Sequence, residues 1–145
     1  MGVTKVKSDW KSGELVFKNK STGMPVFKVS DGLKVQTKSA DYTMTAADSG
    51  YVTYIDTDAK TITLPSTAAG LTYTFVNAGA AGAVAINISP AAADKIQGCG
   101  LTAADNKDVI NTKATAKFGD MIRIVGDATD GWIIQEMVGV WAREA

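Results

Sequence analysis

Three stretches between Tyr51 and Ser89 alternate apolar and polar residues at a period of two. Ile62 and Leu64 alternate with Thr61 and Thr63. Leu71, Tyr73 and Phe75 alternate with Thr72 and Thr74, and Val84, Ile86 and Ile88 with Ala85, Asn87 and Ser89. Successive side chains of a strand point to opposite faces, so each stretch predicts a strand with one buried and one wetted side. Pro65-Ser66 and the run Asn77 to Gly82 separate them with turn chemistry. The expectation is a meander of antiparallel strands whose apolar face needs a second sheet.

The flanks continue the pattern more weakly. Residues 1–12 read as an arm with little structure of its own. Leu15 and Phe17, then Val26 to Val29 after Pro25, then Leu33 and Val35 predict three short strands over 13–36, with Asn19 to Gly23 and Asp31-Gly32 as turns. Thr45 caps one predicted helical turn over 46–48. Tyr51 to Ile55 is a further strand, and Lys95 to Gly98, Val109 to Asn111 and Ala114 to Phe118 show weak alternation. Met121 to Val125 and Trp132 to Val138 close the chain as stronger strands around the loop Gly126 to Gly131. Short strands with turn signals between them, and no sustained 3.6-residue period, predict an all-β fold. The form expected is an antiparallel β-sandwich or Greek-key barrel with an N-terminal β-hairpin arm. The polar gap Lys38 to Asp41 sets the expected boundary, with a docking segment over 1–40 and a β domain over 41–145. Ile62, Leu64, Tyr73, Phe75, Val84, Ile86, Ile122, Ile124 and Trp132 form the expected core.

Composition narrows the chemistry. The chain has no histidine, which removes the usual general base and the commonest metal ligand. Its one cysteine, Cys99, rules out an internal disulfide and reads as a buried or half-buried loop residue. Asp56 with Asp58, and Asp127 with Asp130, are two acidic pairs that a calcium ion would use. Neither has EF-hand spacing, and Asp in a tight turn bonds the local backbone, which is the preferred reading. Gly98-Cys99-Gly100 and Gly79 to Gly82 lack the Lys-Ser/Thr of a phosphate loop. No catalytic, cofactor or metal residue emerges, and the chain is expected not to be an enzyme.

The formal charge of zero conceals an asymmetry. Residues 1–40 hold eight lysines against Asp9, Glu14 and Asp31, a net +5, which 41–145 cancels. Such a split can mark a docking surface, but lysines spread between apolar residues fit a solvated strand face, which is the preferred reading. The basic segment contains no arginine, so nucleic acid is not the expected partner. No apolar run reaches the ~18 residues of a membrane span, and no apolar stretch follows the N-terminal lysines as in a secretory signal. Synthesis in a cytoplasm without membrane attachment is expected.

One set of motifs carries a resemblance. It comprises Tyr42-Thr-Met-Thr-Ala-Ala-Asp-Ser-Gly50, Thr61-Ile-Thr-Leu-Pro65, Ala69-Gly-Leu-Thr-Tyr-Thr-Phe75 and Ala85-Ile-Asn-Ile-Ser-Pro90. It continues with Ala93-Asp-Lys-Ile-Gln-Gly98, Phe118-Gly-Asp120, Gly131-Trp132 and Gly139-Val-Trp141. The pattern resembles a β-rich module of small virion proteins of tailed bacteriophages: head decoration (cement) proteins, head fibres and tail appendages. Gly13 to Asn19, Thr22-Gly23 and Asp31 to Val35 are similar to the lead-in of some of them. The resemblance implies a homo-oligomer, with a trimer favoured, and the phage major capsid protein as partner. The implied place is the capsid surface of the virion. It brings no catalytic residues and no cofactor. The expected task is capsid decoration, and the alternative is a receptor- or carbohydrate-binding head-fibre or tail appendage. Trp10, Leu15, Phe17, Phe27 and Trp141 are the candidate oligomer or capsid contacts, because aromatic and large apolar residues anchor interfaces, with plain burial in the same domain an equal alternative for Trp10 and Trp141.

Overall fold

A computed structural model describes the backbone of residues 6–11, 14–19 and 25–30, and backbone with side chains for 33–127 and 129–145. The chain divides into two units, Met1–Leu33 and Lys34–Ala145.

In the smaller unit, β1 (Val6–Lys11), β2 (Glu14–Asn19) and β3 (Pro25–Ser30) form an antiparallel sheet in the order β1-β2-β3. β1 corrects the expectation of an unstructured arm over 1–12. It pairs with β2 along its whole length, from Val6 opposite Asn19 to Lys11 opposite Glu14. Its alternation of Val6, Ser8 and Trp10 with Lys7, Asp9 and Lys11 is two-sided, and Ser8 in the apolar row obscured it. The turns expected at 20–23 and at Asp31-Gly32 lie outside the described residues.

The larger unit contains β4 (Lys34–Lys38), β5 (Tyr42–Thr43), β6 (Tyr51–Ile55), β7 (Lys60–Thr63), β8 (Thr72–Asn77), β9 (Ile86–Ser89), β10 (Lys95–Gln97), β11 (Val109–Asn111), β12 (Met121–Gly126), β13 (Gly131–Val138) and β14 (Trp141–Arg143). A single 3-10 turn over Ala46–Asp48 follows Thr45, as expected. Two mixed sheets result, a six-stranded one in the order β10-β13-β12-β8-β6-β4 and a five-stranded one in the order β14-β11-β9-β7-β5.

The connectivity overturns the antiparallel meander. β4, β6 and β8 lie parallel in one sheet, while β5, β7 and β9 lie parallel in the other. The chain changes sheet after every strand from β4 to β9. Parallel neighbours need a crossover connection, and here the crossover is a strand of the opposite sheet. Asn77 to Gly82 is therefore part of a passage between sheets and not a hairpin turn. Antiparallel pairing appears where β12 meets β8 and β13 and where β11 meets β9 and β14. Among the described residues both ladders are open at their ends, so the barrel expectation also gives way to two sheets sharing one core. β4 pairs with β6 along five positions, so the division falls after Leu33 and not at Lys38 to Asp41.

The inward row of each strand is the alternation read from sequence. All nine expected core residues are buried, joined by Met44, Ile55, Ile88, Ile96, Val109, Ile134 and Trp141 in one cluster. Tyr73 packs on Trp132 with ring centroids 5.4 Å apart and donates its hydroxyl to Thr45 O at 2.8 Å. That bond lets a tyrosine be buried without a loose polar end.

Candidate functional site

Polar side chains inside the larger unit hold its two sheets together. Asn77 continues the inward row of Tyr73 and Phe75, and Asn111 stands inward on β11. Asn77 Nδ2 donates to Asn111 Oδ1 at 2.7 Å and to Val84 O at 3.0 Å. Asn111 Nδ2 donates to Asp120 Oδ2 at 2.9 Å and to Val140 O at 3.0 Å. Asp120 Oδ2 also accepts from Lys117 N at 3.0 Å. Asn77, Asn111 and Asp120 are all buried, so each bond satisfies groups that water cannot reach. Gly139 adopts φ 89°, and a Cβ there would lie 2.2 Å from Asp120 Cγ. Glycine is required both by the backbone angle and by the carboxyl group against it. Elsewhere, Arg143 of β14 donates from Nη2 to Ile96 O of β10, a second tie between the sheets.

Turn chemistry, the preferred reading, holds for Asp127, whereas Asp58 and Asp130 are engaged by partners distant in sequence. Asp127 Oδ1 accepts from the backbone N–H groups of Thr129, Asp130 and Gly131 at 2.8, 2.9 and 3.1 Å. These donors hold its carboxyl below the ordinary value. Asp130 pairs with Lys95 at 2.7 Å. Asp58 pairs with Lys113 and accepts from Ala85 N, and these contacts lower its pKa. Asp56 is lowered by the hydroxyls of Ser39 and Thr57. Burial raises the pKa of Asp48, but bonds from the Thr45 hydroxyl and N–H outweigh it, with help from Gln36 and Lys38, so the net shift is downward.

Cys99 differs from expectation, because it is exposed. Gly98 N donates to Leu101 O at 3.0 Å and Leu101 N to Gly98 O at 2.9 Å. Cys99 and Gly100 between them have φ values of 47° and 89°. Two successive positive φ angles define a type I′ turn, whose tip points its residues to solvent.

The outer faces of the two sheets differ. On the five-stranded sheet, the outward row of β7 is Thr61 and Thr63, and that of β9 is Asn87 and Ser89. On the six-stranded sheet the pairings align Thr37, Tyr54, Val76, Met121 and Val138 in one outward row. A second row runs Val35, Val52, Thr74, Arg123, Glu136. A third row includes Thr72, Val125 and Ile133. Tyr54 is 36% exposed, Ile133 44%, Val138 48% and Val35 58%. Arg123 and Glu136 pair with each other at 3.0 Å. This apolar face was missed in the sequence because Val76 and Met121 look like ordinary strand residues until pairing puts them side by side.

The candidate contacts separate into two groups. Trp141 is buried in the core, with its Nε1 donating to Val138 O at 2.9 Å, and is not a surface anchor. Trp10 stands opposite Leu15, and Phe17 opposite Phe27. With Leu15 and Phe17 two apart on β2, all four positions share one face of the three-stranded sheet. The charged positions Lys7, Lys11, Glu14, Lys18 and Lys28 alternate with them onto the other face.

No family model and no curated protein matches the chain. Among the described residues no helix is long and apolar enough to cross a membrane.

Proposed function

We propose that the chain is a non-enzymatic structural protein of a tailed-phage virion. Its task is to decorate the capsid, binding and stabilising the head lattice as an oligomer. The observation that carries this reading is the use to which the motif residues are put. Asp48 closes the turn before β6, Asp120 ties β11 to the loop before β12, and Gly139 makes room for Asp120. The motifs thus specify a rigid two-sheet scaffold, and they leave the task to its outer surfaces. The larger unit stands on the shell as a sandwich, while the N-terminal segment engages capsid loops or neighbouring subunits. Strand addition there supplies backbone hydrogen bonds, and several copies at one site add avidity. By the observed division, 1–33 holds six lysines against three acids, a net +3, and 34–145 the compensating −3. An acidic lattice would accelerate encounter with the smaller unit.

The test is co-sedimentation of the purified chain with shells assembled from the major capsid protein of the same phage. Saturable binding with defined stoichiometry is expected, and raised salt should slow association more than it weakens the final complex. A chain that stays in the supernatant at all salt concentrations overturns the reading. The appendage alternative calls for a row of exposed aromatics, and Tyr54 is the aromatic among the described outward strand positions of the six-stranded sheet. Binding to a glycan array without shell binding would favour that alternative.

A further inference from the structure

We propose that the outer face of the six-stranded sheet is where one copy of this chain meets a second copy. The inference takes up the oligomeric half of the functional reading, names its surface, and needs no capsid. It moves the contact away from Trp141, which is core, and onto Tyr54, Val76, Met121 and Val138 with Val35 and Val52 beside them.

Three observations select a second copy as the occupant. The first is charge. Arg123 and Glu136 are the charged residues among the three aligned rows, and they neutralise each other at 3.0 Å. Two copies can therefore close on each other without burying like charges. An acidic or basic partner would find nothing there to complement. In a symmetric arrangement the same pair can also exchange partners across the contact, which fixes register.

The second observation is size. Five strands at ~4.8 Å spacing and about five residues at ~3.3 Å rise give a face of roughly 400 Å² in projection. With side-chain relief, two such faces together come to roughly 1,000 Å², the threshold for a specific interface between proteins. Within this face Tyr54, Val76, Met121 and Val138 form an apolar stripe across four neighbouring strands, and contiguous exposed apolar surface marks interaction sites.

The third is the edge. β4, at one end of this sheet, carries Lys34 and Lys38. Charged edge strands oppose edge-to-edge pairing, so association at this side proceeds through the face. The outward Thr61, Thr63, Asn87 and Ser89 of the five-stranded sheet need no such cover.

The experiment is light scattering on the full chain from ~1 to ~100 µM, because mass action makes association concentration-dependent. The parent should run above monomer mass. The double variant Tyr54→Asp with Val138→Asp should shift to monomer, with dissociation at least tenfold easier and the far-ultraviolet circular dichroism unchanged. Val35→Asp, at a more exposed edge position, is the second variant and should weaken association in the same direction. Thr61→Asp on the opposite sheet should leave the mass alone. A parent that is monomeric throughout overturns the inference and points to cover from within the chain or from another protein. So does an unchanged mass in both face variants, or equal dissociation by Thr61→Asp. An oligomer that ignores capsid shells would sink the decoration reading alone, and a monomer that decorates them would sink this inference alone.

Discussion

Replacing Asn111 with alanine removes the residue through which β8, β11 and the loop before β12 are joined. Three hydrogen bonds disappear together: from Asn77 Nδ2 to Asn111 Oδ1, and from Asn111 Nδ2 to Asp120 Oδ2 and to Val140 O. A bond to a carboxylate contributes about 1.5–3 kcal/mol and each neutral bond about 0.5–1.5 kcal/mol. The Val140 carbonyl loses the partner described for it, and Asp120 Oδ2 keeps Lys117 N alone. The expected loss is about 3–5 kcal/mol, a large share of the stability of a domain this size. Urea unfolding followed by tryptophan fluorescence reads it directly, since Trp132 and Trp141 are buried. A double-mutant cycle with Asn77→Ala isolates the bond between sheets, with an expected coupling of about 1–2 kcal/mol. A loss below ~1 kcal/mol, or additive single effects, would refute the claim that this amide staples the two sheets.

Phe75→Ala removes a fully buried ring at the centre of the core and should cost about 3–5 kcal/mol, read as a lower urea midpoint. An unchanged midpoint would mean the inward row of β8 is wrong. Gly139→Ala forces a left-handed backbone angle on a residue with a Cβ and drives it into Asp120. It should lower the melting temperature more than Ala→Gly exchanges in exposed loops do. Asp48 and Asp127 have folded-state pKa values below their ordinary ones. Their stabilisation is thus present above the unfolded value of ~3.9 and is lost as pH falls through the depressed folded values. Asp127→Asn should flatten the acid limb of a stability–pH curve, and an unchanged limb would show that the turn does not depend on the charge.

The buried rows were legible because alternation reports which side of a strand is covered. The same signal is silent about which sheet the strand joins. Ile62 and Phe75 carry identical patterns, yet they sit in opposite sheets, and only the length of the passage between them distinguishes a crossover from a hairpin. Asn77 was readable by parity, two positions beyond Phe75, but its place beside Gly79 and Gly82 suggested a turn. Asn111 gave no local warning, since its partners Asn77 and Val140 lie far away in sequence. The outer apolar face depends wholly on register, which joins Tyr54 to Val76, Met121 and Val138. In the N-terminal unit, Trp10 and Leu15 were read as separate candidates, and the pairing of β1 with β2 makes them neighbours.

The winding from β4 to β9 also governs how the chain must reach its native state. Val52 waits for Thr74 and Lys60 for Ile86, so partners arrive roughly twenty residues later and no adjacent pair in this region can zip up alone. The tight β12–β13 connection offers the most local nucleus, yet it follows the coiled half in chain order. During synthesis, the coiled half emerges first and stays without its antiparallel cover until the last strands arrive. Refolding on a timescale of milliseconds to seconds is expected. Truncation before Met121 should leave exposed sheet edges that aggregate rather than a smaller folded core.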